Sequence, residues 1–215
     1  SGYESTDSET EDQKRSNEYN VPVNRQEIGH VSARVKSTHS LCESLKLIME
    51  IPELCDVTFL VGPKEIPVYG VRAILGTRSK VLYQLIIKHL NLREAELKYN
   101  KPSVCGGRLT IPVRKYDTEV FRMLIQFVHS GTATITDTAV FGLLCGAYQF
   151  ELRDLEEACW EYIGRRIEHG CVDVILTSAR AYKQHRNANE IYNTIYFSLE
   201  KQKRSAVCSS RDRFV

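Results

Sequence analysis

The sequence predicts an α+β chain in which a few short strands come early and helices close the fold. Three observations carry that prediction. The run Asp-Val-Thr-Phe-Leu-Val at positions 56–61 is dense in β-branched and aromatic residues, and it leads through Gly62-Pro63-Lys64-Glu65 into Ile66-Pro-Val-Tyr69, the pattern of a hairpin. A further strand-like run, Arg108 to Val113, follows a polar loop holding Pro102 and Gly106-Gly107. From Thr118 to Leu199 the apolar residues recur at three-to-four spacing, which is helical.

Taken in order, residues 1–25 hold Ser, Thr, Asp, Glu and Asn with almost no apolar content. Ordering them would not offset the lost conformational entropy, so they read as a disordered acidic tail. Ile28 to Lys36 alternates weakly through Val31, Ala33 and Val35, as a short edge strand would. Ser37 or Ser40 then caps a helix carrying Leu41, Leu45, Ile48 and Met49, which Pro52 stops. After the hairpin come helical stretches at Val71–Leu75 and Lys80–Leu90. The helix opening at Thr118 carries the stripe Phe121, Leu124, Ile125 and Val128 and ends at Ser130-Gly131. Ala147-Tyr148 and Ala181-Tyr182 recur 34 residues apart, an echo explained by two helical hairpins of similar length, since two copies make no solenoid. Residues 201–215, rich in Lys, Arg and Ser, read as a second, basic, loose tail.

Composition narrows the function. With 42% hydrophobic and 26% charged residues, the 215-residue chain has the makings of a sizeable core and is not wholly disordered. Its 29 Lys+Arg nearly balance 27 Asp+Glu, so no global field recruits nucleic acid or an anionic membrane. The longest apolar-rich stretch without charge, Thr138 to Phe150, falls short of the ~18–20 residues of a membrane span. The chain starts Ser-Gly and turns acidic, unlike a secretory signal. Seven scattered cysteines, an odd number, and no Asn-x-Ser/Thr acceptor point to a reducing intracellular compartment, cytoplasm or nucleus. No nucleophile elbow, phosphate-cradling loop or dinucleotide fingerprint is present. His169 and Cys171 are close in sequence but lack the further ligands that zinc needs. The expectation is a non-enzymatic protein with no catalytic, cofactor or metal site. Glu156-Glu157 and Arg165-Arg166 on one helix read as a solvated face supported by the helix dipole.

Four segments then stand in a recognisable order: Cys55-Asp-Val-Thr-Phe59, Arg72-Ala-Ile-Leu-Gly-Thr-Arg-Ser79, Val113 to Gly131, and Leu143 to Cys159. Together they resemble the BTB/POZ domain, over roughly residues 28–168. Two departures stand out. Val71 precedes Arg72 where the family usually has His, and the usual Tyr-Thr-Gly reads His129-Ser130-Gly131, with a half-exposed His129 acceptable there.

The resemblance implies a small sheet covered by helices at 26–168, followed by a helical-hairpin extension at 169–200 similar to the segment called BACK or 3-box. It implies a protein-interaction module, typically a homodimer packed through the first helix. The stripe of Leu41, Leu45, Ile48 and Met49 either makes that dimer contact or faces its own core. In transcription-regulating relatives an acid and a base line a charged pocket at the dimer seam; these match Asp56 and Arg72. Adaptor relatives present an apolar-x-Glu element to the scaffold cullin-3, delivering a substrate to a ubiquitin ligase, and Leu92-Arg93-Glu94 stands at that place, in the loop after the helix. The expected function is therefore a cullin-3 adaptor for an unidentified substrate protein. The alternative is a transcriptional regulator or scaffold binding a corepressor peptide in the dimer groove. Neither contacts nucleic acid or membrane directly.

Overall fold

Three five-residue strands make the sheet: β1 (Val57–Val61), β2 (Ile66–Gly70) and β3 (Leu109–Val113), in the order β2-β1-β3. The computed structural model describes residues 36–98 and 108–211. β1 pairs antiparallel with β2 (Val57 opposite Gly70) and parallel with β3 (Val57 opposite Leu109). The hairpin turns through Gly62 and Glu65, both at positive φ (+70° and +52°). The parallel pairing demands a long crossover. α2 (Arg72–Arg78) and α3 (Lys80–Lys98) lie within it.

Alternation decides which face of β1 is inside: Val57, Phe59 and Val61 are wholly buried, whereas Thr58 and Leu60 between them are only partly so. Onto this face packs α4 (Thr118–Ser130), with Phe121 edge-on to Phe59 at 5.2 Å between ring centroids. Asp117 caps α4, its Oδ1 accepting the backbone N–H groups of Glu119 (3.0 Å) and Val120 (3.3 Å), and Gly131 ends it in the left-handed region. Ser79 joins the two halves of the core. Its buried hydroxyl donates to the Phe150 carbonyl at 2.7 Å and accepts from the N–H of Leu82 at 3.1 Å.

α5 (Val140–Phe150) is apolar all round, and every residue but Tyr148 and Gln149 is buried. α6 (Arg153–Glu168) packs against it, and Asp137 accepts from the Tyr162 hydroxyl at 2.8 Å and pairs with Arg166 at 2.5 Å. α7 (Asp173–Ser178), a 3-10 turn (Ala179–Tyr182) and α8 (Ala188–Arg211) complete the chain. Their Val172, Ile175, Tyr182, Ile191 and Ile195 belong to the same core cluster as the sheet. The close approach is built into α5: a Cβ on Gly142 would lie 2.4 Å from the Tyr182 ring, and one on Gly146 would lie 2.4 Å from Leu124.

Two expectations need correction. α3 runs to Lys98 instead of ending near Leu90, because Arg93-Glu-Ala-Glu-Leu-Lys98 is a string of strong helix formers with no breaker. Residues 201–211, expected as a loose tail, continue α8, opened by the helix formers Lys201-Gln-Lys-Arg204, and Gln202 Nε2 donates to the Glu168 carbonyl at 2.9 Å. The acidic tail (1–25) and the edge strand from Ile28, save Lys36 itself, lie outside the described residues.

Candidate protein-interaction surfaces

The first turn of α2 has no side-chain oxygen of its own to satisfy its N–H groups, because Val71 occupies the cap position. Two distant side chains supply acceptors instead. Asp56 Oδ1 accepts the Arg72 backbone N–H at 2.7 Å while its Oδ2 accepts Arg72 Nε, also at 2.7 Å. This carboxylate is thus both helix cap and ion-pair partner, with the two side chains still 44% and 38% exposed. From the other side, His129 Nε2 accepts the Val71 N–H at 3.0 Å. Its Nδ1 lies 2.8 Å from the Ile125 carbonyl, which only accepts, so Nδ1 carries the proton and the ring is neutral. His129 is buried, not half-exposed as the sequence suggested, because it replaces the missing cap. Burial pushes its pKa down, opposed by the hydrogen bond to Ile125. The signal was present in the sequence as a capless Val71, but nothing local says which residue compensates.

α1 (Thr38–Ile48) packs on α4 yet buries none of its own residues completely. Its predicted stripe divides. Met49, just past the helix, joins the core; Leu45 and Ile48 are half-buried; Leu41 is 57% exposed. Three further exposed residues were not singled out from the sequence: Leu47 at 62%, Ile51 at 42% and Leu54 at 59%. They sit one per turn or loop, where periodicity does not separate a core face from an outer one.

α3 carries the second apolar surface. Tyr83, Ile87, Lys88 and Leu92 line a shallow groove of about 500 Å³, and Leu92 is half-exposed. Residues two apart on a helix point about 200° from each other. Leu92 therefore faces this groove while the exposed Glu94 looks elsewhere, and the loop expected to present both is helix.

The Cys145 and Cys159 thiols are pushed up to about 12 by burial, so they stay protonated. His169 Nδ1 is engaged by the Arg165 carbonyl at 2.7 Å, and Cys171 Sγ donates to the His169 carbonyl at 3.4 Å. Among the described residues no three His, Cys, Asp or Glu side chains stand close enough to share a metal, and no helix is long and apolar enough to cross a membrane.

Comparison with known proteins bears on the same regions. Residues 45–166 match the family described as the BTB/POZ domain. The Serine-enriched protein of Drosophila melanogaster is 28% identical over 68% of this chain and 14% of its own length. Kelch-like protein 30 of Mus musculus is 24% identical over 60% of this chain and 19% of its own. The chain thus spans less than a fifth of these relatives. The solved BTB (Tramtrack and Bric a brac) domain of human Gigaxonin, 19% identical, aligns with 62% of this chain and 99% of its own, at a TM-score of 0.41.

Proposed function

The chain belongs to the BTB/POZ domain family, whose domain is a protein-interaction module, and from that premise we propose that it is a homodimeric adaptor linking a substrate protein to a cullin-3 ubiquitin ligase. The observation that carries the proposal is the groove on α3 with half-exposed Leu92 at its end: covering the half of this side chain still in water offers a partner about 1 kcal/mol, roughly half the value for a fully exposed Leu. Glu94, on another face of the helix, contributes at the rim. Dimerisation uses the α1 surface, where Leu41 and Leu47 project unpartnered and are joined by Ile51 and Leu54 after the helix. Leu45 and Ile48 form the half-buried base of that contact, and α7 with α8 forms the BACK-like extension. An adaptor of this kind works in the cytoplasm or nucleus.

Pull-down of purified cullin-3 by the chain is the test. Leu92→Asp with Glu94→Ala abolishes capture, Glu94→Ala alone weakens it, and light scattering at micromolar concentration gives a dimer that Leu41→Asp with Leu47→Asp converts to a monomer. Capture unaffected by the Leu92/Glu94 double change removes the adaptor reading. The second reading, a regulator that binds a corepressor peptide, draws on the half-exposed Asp56–Arg72 pair, which has hydrogen-bonding capacity left for a ligand. Its signature is a partner lost on Asp56→Asn with cullin-3 capture absent throughout.

A further inference from the structure

Two grooves flank the segment 183–187 that joins the 3-10 turn to α8. One, of about 450 Å³, has accessible apolar walls of Leu176 and Tyr192 beside the buried Phe141, and charged groups from Asp173, Arg180 and Lys183. The other, of about 550 Å³, is lined in part by Lys115, Glu151, His185 and Arg186. Their linings hold four cations against two carboxylates. None of the four cations makes an ion pair or a cation–π contact among the described residues, unlike the paired Arg72, Arg122, Arg165 and Arg166. Arg180, Lys183 and Arg186 are exposed.

The ridge between the grooves is held in place. His185 Nε2 donates to the Lys115 carbonyl at 2.8 Å, its N–H reaches the Tyr182 carbonyl at 2.9 Å, and its ring stands edge-on to Tyr116 at 4.5 Å. Lys183 and Arg186 therefore project from a fixed base, which spares a ligand the entropy of ordering the loop. Cations of this kind set beside apolar walls suit a chain that carries carboxylates next to an apolar side chain.

We propose that this paired groove docks an acidic peptide segment of a partner protein, with an aliphatic or aromatic side chain seated against Leu176 and Tyr192, one carboxylate meeting Arg180 and Lys183, and another meeting Lys115 and Arg186. The surface lies on helices beyond the matched 45–166 region as well as on it, and is separate from the α1 and α3 faces. It needs neither cullin-3 nor dimerisation.

The test selects random peptides of about twelve residues on the full chain, then measures the recovered peptides, fluorescein-labelled, by anisotropy. Recovered sequences carry Asp or Glu on both sides of an apolar residue. Their affinity falls about tenfold or more in Arg180→Glu/Lys183→Glu and at about 0.3 M salt, and stays within about twofold in Lys64→Glu/Lys80→Glu, which changes the net charge equally. Arg180→Gln/Lys183→Gln, with circular dichroism as the fold check, replaces the reversal if that variant does not fold. Peptides without acidic enrichment, or equal loss in the control variant, overturn the proposal. So does a short oligothymidylate that binds as tightly and is lost in the same variant, since the surface then belongs to nucleic acid.

Discussion

Replacing His129 tests the tertiary capping of α2 most directly. The ring is neutral in the fold, donates to Ile125 and accepts from Val71, so protonation would remove the acceptor and bury a charge. Its folded pKa is lowered, by burial first. Above the ordinary value near 6.5 neither folded nor unfolded chain holds the proton, and the stability is fully present. Below it the unfolded chain takes up a proton that the fold refuses, so stability falls with pH at up to about 1.4 kcal/mol per unit until the folded pKa is reached. His185, also lowered by burial, adds in the same direction. His129→Gln keeps an acceptor within reach of the Val71 N–H and removes the titration, so its stability falls less steeply than the wild type between pH 6.5 and 5.5. His129→Leu keeps the bulk but loses both bonds, at about 1–3 kcal/mol near pH 7.5. Urea unfolding followed by circular dichroism at pH steps gives both quantities. Parallel wild-type and His129→Gln curves across that range would refute the assignment of a neutral, buried ring.

Two other outcomes follow from the core. Gly142→Val forces a branched side chain into the space of the Tyr182 ring and costs at least about 1–3 kcal/mol; proteolysis of the native protein then cuts first around α7, and a cleavage pattern like the wild type's would mean that this packing is not tight. Among the described cysteines, alkylation at pH 8 modifies exposed Cys171 first and half-buried Cys42 next, while Cys145 and Cys159, pushed up to about 12, react only on unfolding; mass mapping that finds Cys159 modified with Cys171 would contradict its burial.

Much of the fold was legible because its signals are local. The density of β-branched residues in β1, the turn at Gly62 and the Gly131 stop each lie within a few residues of the element they define. What was not legible depended on partners far away in sequence. Whether Leu41 or Met49 lies inside is decided by where α4, which opens at Thr118 far along the chain, ends up, and the stripe's spacing is the same either way. The true ends of α3 and α8 were lost for a different reason: polar, charged segments look like loops by hydropathy, yet Glu, Lys, Gln and Arg lose little rotamer freedom in a helix. The resemblance marked Asp56 and Arg72 as a charged pocket, and Asp56 Oδ2 meets Arg72 Nε at 2.7 Å, but the capping of the α2 backbone by the same carboxylate had no signature in either residue.

The helices divide by what holds them. α2, α5, α6 and α7 have no side-chain cap at their first residue, and each is anchored instead by burial or by a distant acceptor, as α2 is by Asp56 and His129 and α5 by burial of all but Tyr148 and Gln149. Of these, α5 packs on both α6 and α7, so a local change in α5 removes contacts in the other two. The outer faces of α1 and α3 are different: Leu41, Leu47, Tyr83 and Leu92 project from helices whose inner sides already make the packing contacts. Changing a core-facing residue such as Met49 therefore costs stability and binding together and reports on neither alone. Changing Leu41 or Leu92 removes little buried area from the monomer, so a loss of association there measures the surface itself. Stability is carried by the inner sides of these helices and the residues that follow them, so the outer sides can be changed without loosening the sheet behind them.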